Sequence, residues 1–418
     1  MSSDATPDPY NNPVAFGQRV QIYRNRRGMT REQLAGLLGH HSSWVKKIET
    51  GTMRMPRLPE ILRLAEVLRV RRLNDLVGDV SAEPHTDLFL GPGHDRLAAV
   101  RAALTTYPAP GIREAPTQTY MRAALDAAWA ARHEAPNHRE TLGTLLPGLI
   151  RDAQLSVRQA DTGADRRSAL ILQAETFALA QFFVAYQPDP SLLWRVAERG
   201  MAAAQESEDL HAIGVASWLS AQAHRDSGPG HYDEADDVVT QALRLLEPGL
   251  EDAPLDVQAI TGALRVEAGL TAAKRRQTGS AWGWWDRADR ISRQLPPSYF
   301  HRVTSFSRAV MGAHSVTVAV ELRAGGESVR QANQAEADAI PSRPRRARHR
   351  IEQARAYYLD GQQETALATL EQAHAAAPET VRYNGYARSI VLEETTSRMP
   401  DRRQRASQLA VDIGLLAA

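Results

Sequence analysis

The stretch TREQLAGLLGHHSSWVKKIETG, residues 30–51, decides the fold of the first part of this 418-residue chain. Thr30 and Gln33 have the spacing of a capping box, in which each side chain bonds the other residue's backbone N–H, so a helix is predicted to begin here. Gly39 is predicted to end it, because glycine adopts a left-handed backbone without strain. The apolar stripe between these signals consists of Leu34, Ala35, Leu37 and Leu38.

A second short helix is predicted directly after the turn at His40 and His41. His41 or Ser42 can cap it, and Val45 and Ile48 are expected to face inward. Two short helices joined by a glycine-containing turn form a helix-turn-helix. Such a unit suits DNA, because the amino end of its second helix carries a positive dipole and fits the major groove.

Composition bounds the class of protein. Hydrophobic residues make up 43% of the chain, so a substantial core and two or three domains are expected. Cysteine is absent, which excludes disulfides, iron–sulfur clusters and cysteine-ligated zinc. Residues 1–12 are polar and proline-rich, so they are predicted to be a disordered tail rather than a secretion signal. Without a long apolar stretch, a soluble cytoplasmic protein with no membrane partner is expected.

Positive charge is concentrated around the paired helices. The whole chain has a net charge of only +1, but residues 19–57 hold 9 Lys+Arg against 2 Asp+Glu. Lysine occurs three times in the chain, and two of the three are the adjacent Lys46 and Lys47. The basic field is therefore centred on the helix-turn-helix, as a nucleic-acid partner requires.

Residues 13–78 resemble the Cro and lambda-repressor type of helix-turn-helix domain, also called the xenobiotic-response-element family. Two residues depart from the family pattern, His40 and the bulky Trp44, and they affect the expected base preference rather than the fold. The matching residues are Gly17, Val20, Tyr23, RRGMT at 26–30, Gln33-Leu34-Ala35, Gly39, Val45, Ile48-Glu49, Gly51, Pro56, Ile61, Leu64, Ala65 and Leu68.

The resemblance implies double-stranded DNA as a partner and assigns contacts residue by residue. It makes Arg31 a phosphate contact, and it places Arg54 and Arg57 in a loop that grips phosphate or enters the minor groove. Lys46 could take either role, and His41 is expected to meet the backbone. The positions that reach base edges in relatives are Ser42, Ser43 and Lys47.

Residues 79–117 are rich in proline and glycine and are predicted to be a linker with one short helix. Residues 118–418 are predicted to be helical throughout. Residues 346–380 resemble a tetratricopeptide repeat at Ala354, Tyr357, Ala366, Leu370, Ala373 and Pro378. Successive small residues of such units, Ala221, Gly269, Ala313 and Ala354, lie 48, 44 and 41 apart, against about 34 in the strict repeat. The predicted fold is all-α, a five-helix head followed by a right-handed tetratricopeptide-like solenoid, with longer helices or an irregular solenoid left open.

Residues that could contact an effector fall on the predicted groove of this solenoid and in a tryptophan cluster. The alternative for each is ordinary packing or a solvated surface. The candidates are Trp218, Gln222, Arg225, Trp282, Trp284, His314 and Arg355.

Chemistry beyond binding finds no support in the sequence. His133-Glu134 and His138 have the spacing HExxxH, which is one residue too long for two zinc ligands on one helical face. No nucleotide loop, nucleophile elbow or paired-carboxylate motif is present, so no cofactor, no metal and no enzymatic activity are expected.

The combination of a helix-turn-helix head with helical repeats resembles the peptide-pheromone-responsive, quorum-sensing regulators of Gram-positive bacteria, and actinobacterial regulators with tetratricopeptide-like tails. The resemblance implies a homodimeric transcription regulator whose repeat domain binds a peptide or small-molecule effector. The alternative is a protein-interaction scaffold whose repeats bind a partner protein, with the DNA-binding head secondary.

Overall fold

The computed structural model describes residues 13–53, 55–56, 58–70, 74–77, 93–107 and 113–416. The chain divides into two compact units, Met1–Asp87 and Leu88–Ala418. The described residues are helical with no strand among them, which confirms the all-α prediction. None of the helices in these ranges is long and apolar enough to cross a lipid bilayer. The tail predicted for residues 1–12 lies outside the described residues.

The first unit, called the head below, begins with short helices whose ends follow the local signals. Thr30 Oγ1 accepts from Gln33 N at 3.2 Å and Gln33 Oε1 accepts from Thr30 N at 2.8 Å, which confirms the capping box. Gly39 has a φ of 71°, the left-handed conformation predicted for it. The helices are α1 (Pro13–Arg26), α2 (Arg31–Leu38), α3 (Ser42–Glu49), α4 (Leu58–Val67) and α5 (Asn74–Val77).

Every described helix of the head contributes apolar side chains to one core. The expected inward positions are buried, including Val45 and Ile48 of α3. The predicted stripe of α2 is wrong at Leu37, which is 61% exposed, and the apolar Leu62 of α4 is likewise 50% exposed. At about 100° per residue, each lies about 60° outside the arc that its helix buries. Neighbouring helices cover only that arc. The core consists of Phe16, Val20, Leu34, Ala35, Leu38, Val45, Ile48, Ile61, Leu64, Ala65, Leu68 and Leu76.

A buried carboxylate ties three of the head's helices together. The Glu49 side chain is 1% exposed, and its Oε1 accepts from Arg24 Nε of α1 at 2.5 Å. Its other oxygen accepts from Arg31 Nε of α2 at 2.6 Å. Arg24 also donates from Nη1 to the Met29 carbonyl at 2.6 Å, in the α1–α2 connection. The last residue of α3 is therefore held to both preceding helices by charge-assisted hydrogen bonds.

The second unit consists of helices that pack in sequence as antiparallel neighbours. Three single turns of 3₁₀ helix lie between them, at Pro229–His231, Leu250–Asp252 and Ala337–Ala339. The helices are α6 (Leu97–Thr105), α7 (Gln118–Glu134), α8 (His138–Arg158), α9 (Gly163–Val184), α10 (Pro190–Ser207), α11 (Leu210–Asp226), α12 (Tyr232–Leu246), α13 (Leu255–Lys274), α14 (Thr278–Gln294), α15 (Arg308–Glu321), α16 (Gly325–Gln334), α17 (Arg343–Leu359), α18 (Gln363–Ala376), α19 (Pro378–Arg382), α20 (Gly385–Glu394) and α21 (Pro400–Asp412).

The helix expected inside a linker at 79–117 belongs to this second unit. Helix α6 packs on α8, and it buries Leu97, Val100, Ala103 and Leu104 in the main core. Residues 78–92 and 108–112 of the expected linker lie outside the described residues. The proline- and glycine-rich flanks indicated a linker, but the four apolar residues of α6 are spaced to bury one helical face.

Helical hairpins form the body of the second unit. The small residues singled out in the sequence are buried at their contacts, among them Ala221, Ala313 and Ala354. At Gly269 in α13, a Cβ would lie 3.2 Å from the Ala281 carbonyl of α14, so a larger residue would require the two helices to shift by a few tenths of an ångström. The long spacing between hairpins follows from helices of up to 22 residues and from the connection at residues 295–307.

The first helices of the hairpins form a closed ring. Helices α7, α9, α11, α13, α15 and α17 each contact the next, and α17 contacts α7. Where the ring closes, His133 Nδ1 lies 2.8 Å from Ser342 Oγ, and Arg139 N donates to Glu379 Oε2 at 2.6 Å. Arg348 Nη1 donates to Tyr186 Oη at 3.0 Å across the same junction. The concave face expected of an open solenoid is therefore the inside of a ring.

Replacing Glu49 by Gln should destabilise the head. The substitution leaves the buried Arg24 guanidinium without a countercharge, which costs about 3–5 kcal/mol for a buried pair. Hydrogen exchange of peptides from α1–α3, measured on the full chain, should become much faster. Glu60→Gln is the matched control, because the Glu60–His40 contact at 3.0 Å is partly exposed and is expected to contribute less than about 1 kcal/mol. Equal exchange in the two variants would contradict the role given to Glu49.

Lowering the pH from 7 to 5 should destabilise the second unit. Burial, and next the charge of Arg345, lower the pKa of His349 to about 3, and burial, and next His211, lower the pKa of His301. At pH values between the unfolded-state pKa of about 6.5 and the lower folded-state pKa, the unfolded chain binds more protons than the folded chain. The free energy of unfolding therefore falls as the pH falls.

For His349 alone the loss between these pH values is about 2 kcal/mol. The measurement is urea unfolding of the full chain by circular dichroism at both pH values. The variant His349→Gln should lose less unfolding free energy between pH 7 and pH 5 than the wild type does. The control variant His231→Gln, at an exposed histidine, should lose as much as the wild type. A wild-type loss that His349→Gln reproduces in full would show that another group is responsible.

Candidate nucleic-acid interface

The amino end of α3 is exposed and capped by a side chain. His41 Nδ1 accepts from Ser43 N at 3.4 Å, so the structure selects His41 over Ser42 as the cap. The remaining backbone N–H groups of this first turn give it partial positive charge. The helix end therefore offers hydrogen-bond donors and positive potential to an anionic partner.

The polar residues of α3 share one face. At about 100° per residue, Ser42, Ser43, Lys46 and Lys47 span an arc of about 140°, opposite Val45 and Ile48. Ser43, Lys46 and Lys47 are exposed, and Ser42 is half-buried. Neither lysine forms a salt bridge with any described residue, and the Glu49 oxygens are taken by Arg24 and Arg31. The two ammonium groups therefore point into solvent next to two hydroxyl groups.

Arg31 flanks this face but is partly committed to the core. Its Nε donates to Glu49, and its side chain remains 37% exposed. A phosphate contact by Arg31 would therefore use the terminal nitrogens of a guanidinium that Glu49 already orients. Arg54 and Arg57, the predicted loop contacts, lie outside the described residues.

The two residues that depart from the family pattern form one structural unit. The rings of His40 and Trp44 stack with their centroids 4.0 Å apart and an interplanar angle of 7°. His40 Nε2 also lies 3.0 Å from Glu60 Oε2 of α4. The stack joins the turn to the first half of α3 and leaves the lysine-bearing face free.

On the ring of the second unit, three of the predicted effector residues join a chain of buried ion pairs. Gln222 and Arg225 of α11 both donate to Glu267 of α13. Arg355 of α17 donates to Glu321 at 2.9 Å and to Glu352 at 2.6 Å. Lys274 Nζ of α13 lies 3.7 Å from Glu321. The network spans four neighbouring helices of the ring.

His314 and Trp218 lie on the same ring, outside the ion pairs. His314 Nδ1 is 3.4 Å from Arg345 Nη2, and burial, followed by Arg345, lowers the pKa of His314 well below its ordinary value. Trp218 is 7% exposed, and its ring centroid lies 6.3 Å from that of Phe182. Both residues therefore sit among aromatic and cationic side chains of the ring interior.

Trp282 and Trp284 do not join this set. Both lie on α14, the second helix of its hairpin, and are partly buried against the main core. Trp282 makes an edge contact with Trp285 at 5.9 Å, and the Arg287 guanidinium stacks over Trp284 at 4.6 Å. Both tryptophans therefore have packing partners, as the alternative interpretation of the sequence expects, and their role as effector contacts stays a prediction.

Sequence reasoning missed most of the partners on the ring. Glu267, Glu321 and Glu352 resemble surface glutamates in the sequence, although each is less than 15% exposed at its side chain. Their position on the first helix of each hairpin was the one usable signal. It could not identify the arginine partners of Glu267 and Glu321, which lie on an adjacent hairpin, 42 and 34 residues away.

One group of side chains that could ligate a metal is present among the described residues, although the sequence analysis expects no metal in this protein. His224, His231 and Glu234 place one ligand atom each within 4.8 Å of one another. Two of the three are exposed, and the Glu234 charge opposes the lowering of the His224 pKa by burial. The three side chains form a group at the surface of the α11–α12 turn.

Known proteins resemble this chain in a family of domains and among solved structures. A family model described as a helix-turn-helix domain matches residues 15–74. Among solved structures, the chain is similar to Bacillus thuringiensis PlcR in complex with the peptide PapR7 and DNA. The identity is 14%, the match covers 88% of this chain and 99% of that one, and the TM-score is 0.28. ComR from Streptococcus suis matches at 15% identity, over 60% of this chain and 94% of its own, with a TM-score of 0.20. No curated protein matches the chain.

The match at residues 15–74 coincides with the head, in which α2 and α3 meet at the Gly39 turn. Similarity to the two solved structures is too low to carry a conclusion about the second unit. Residues 15–74 of this chain are a helix-turn-helix domain.

Proposed function

We propose that this chain is a sequence-specific DNA-binding transcription regulator of the cytoplasm that acts as a homodimer and whose second unit binds a peptide or small-molecule effector. The observation that carries the proposal is the exposed face of α3. Two lysines that form no salt bridge with a described residue, and two serines, project from a capped helix whose opposite face is anchored in the head core. The polar and aromatic side chains inside the ring are the observation that supports an effector site in the second unit.

The chemistry of this face matches the edges of base pairs in the major groove. A lysine ammonium donates to the O6 and N7 acceptors of guanine, and a serine hydroxyl bonds base edges or phosphates. The helix dipole and Arg31 next to it favour phosphate. A helix presented in this way can enter the groove without moving its core residues, because Val45, Ile48 and Glu49 are buried on the other side.

Replacing Lys47 by Ala should weaken binding to the specific site by about 1–3 kcal/mol and relax the preference at one base position. The operator is first identified by genome-wide capture of DNA on the purified chain, beginning with the promoter of its own gene. Affinity is then measured by fluorescence anisotropy over a range of salt concentrations, since each lost phosphate contact reduces the salt dependence.

Arg63→Ala is the matched control, because Arg63 is an exposed cation of the same head outside α3. It should leave the base preference unchanged. An unchanged footprint and affinity for Lys47→Ala would contradict the assignment of α3. No salt-dependent binding at all would favour the alternative, a protein-interaction scaffold.

A homodimer should bind a near-palindromic operator. Two heads related by a twofold axis meet equivalent groove faces, so the half-sites should lie about 34 Å apart or a multiple of that distance. Footprinting of captured sites measures the spacing, and sedimentation of the complex gives the stoichiometry. Single asymmetric sites bound by one chain would contradict the dimer while leaving DNA binding intact.

A further inference from the structure

Inside the ring, three arginines gather where the first and last of its helices meet. Arg132 lies on α7, and Arg345 and Arg348 lie on α17. Aromatic rings surround them: Arg132 Cζ lies 4.8 Å from the Phe182 ring centroid, and Arg348 Cζ lies 5.8 Å from that of Tyr186. We call Arg132, Arg345 and Arg348 the arginine cluster.

Other buried arginines of the ring have carboxylate partners of their own, whereas in this cluster only Arg348 has one, and it shares that carboxylate with Arg355. Arg225 is paired with Glu267, and Arg355 with Glu321 and Glu352. Within the described part of the chain, Arg132 and Arg345 form no salt bridge, and Arg132 Nη1 is buried without a hydrogen-bond partner.

The carboxylate nearest to the cluster is already shared. Glu352 accepts from Arg355 at 2.6 Å and lies 3.1 Å from Arg348. Arg345 meets only the imidazole of His314, 3.4 Å away. The nearby histidines are neutral and contribute no negative charge, because an imidazole is never anionic near neutral pH and burial, with cationic neighbours second, lowers the pKa of His133 to about 4 and that of His314 well below its ordinary value. The cluster therefore carries a surplus of positive charge.

Mutual repulsion makes this arrangement costly in the unliganded protein. Burial and then the charges of Arg139 and Arg345 lower the pKa of Arg132 to about 9. Burial and then Arg348 lower the pKa of Arg345 to about 10. Both guanidinium groups are still charged at neutral pH, so each retains an electrostatic penalty that a bound anion would remove.

The cluster is accessible to solvent. Arg132, Arg345 and Arg348 are only half-buried, and the two tyrosines whose ring centroids lie 5.8 and 5.9 Å from Arg348 Cζ, Tyr186 and Tyr386, are each 38% exposed. Tyr186 has a φ of 65°, which is uncommon for a bulky residue, and its hydroxyl accepts from Arg348. This conformation occurs at the residue whose aromatic ring lies beside the guanidinium group of Arg348.

We propose that the arginine cluster binds an anionic group of the effector, a carboxylate or a phosphoryl group, between Arg132 and Arg345, with the aromatic rings against the rest of the molecule. This inference rests on the proposed function, whose effector it specifies by chemical class. Guanidinium forks match the planar, bidentate geometry of such groups. Because the arginines come from α7 and α17, the bound anion joins the two helices that close the ring.

The test measures thermal unfolding and calorimetric binding of the full chain with citrate, with inorganic phosphate, and with sodium chloride at equal ionic strength. One of the two anions should raise the unfolding temperature beyond the effect of chloride, since a ligand that binds only the folded state stabilises it. A response to citrate identifies a carboxylate site, and a response to phosphate a phosphoryl site.

Arg132→Gln and Arg345→Gln should each lose about tenfold or more in anion affinity, because a charge-assisted hydrogen bond is lost. Without anion, each should unfold at the same temperature as the wild type or a higher one, because repulsion is relieved. Arg244→Gln, at an exposed arginine of α12, is the matched control and should behave like the wild type.

Two results would overturn the inference: no anion-specific shift in the wild type at millimolar concentration, or an equal shift in the wild type and in both cluster variants. Lys47→Ala separates this test from that of the proposed function. It should keep the anion response while DNA binding falls, so a failure of either site is seen independently of the other.

Discussion

The buried carboxylate of Glu49 is the interaction on which the head depends. It accepts from Arg24 of α1 and Arg31 of α2, so the end of α3 is fixed by partners 25 and 18 residues earlier in the chain. The backbones also touch there: at Gly17 of α1, a Cβ would lie 2.1 Å from the Ile48 carbonyl, which excludes any larger residue. Ion pairs and backbone contact thus fix the carboxyl end of α3 in the head. The exposed face of the same helix carries Ser43, Lys46 and Lys47.

The second unit handles buried charge in two ways. In one part of the ring, glutamates of α13 and α15 neutralise Arg225, Lys274 and Arg355 across neighbouring hairpins. At the closing junction, Arg132 and Arg345 form no salt bridge with any residue that the structure describes, and the Arg132 guanidinium lies 4.8 Å from the Phe182 ring centroid. A protein interior tolerates paired charge when hydrogen bonds complete it, whereas surplus charge of one sign is more typical of a site that awaits a ligand.

Predictions from the sequence succeeded where the determining contacts are local. Thr30 with Gln33 and the left-handed Gly39 were predicted from spacings of a few residues, and both are present. Prediction was weaker where a helix's neighbours decide. Leu37 and Leu62 are exposed because no helix covers their side of α2 or α4, and α6 belongs to the core of the second unit although its flanks resemble a linker. The groove residues Gln222, Arg225 and Arg355 were placed on the ring correctly, but their glutamate partners were not foreseen.

The sequence by itself determined that the chain is helical, that a basic helix-turn-helix lies near residues 30–51, and that stacked hairpins follow. Caps, turns and apolar periodicity act over one or two helical turns and are written into the residues themselves. Tertiary structure alone decided that Glu49 is shared by two arginines, that the hairpins close into a ring through His133 and Ser342, 209 residues apart, and that an arginine cluster forms at the junction. Such contacts depend on the summed rotation of successive hairpins, which packing of whole helices sets and no short stretch of sequence records.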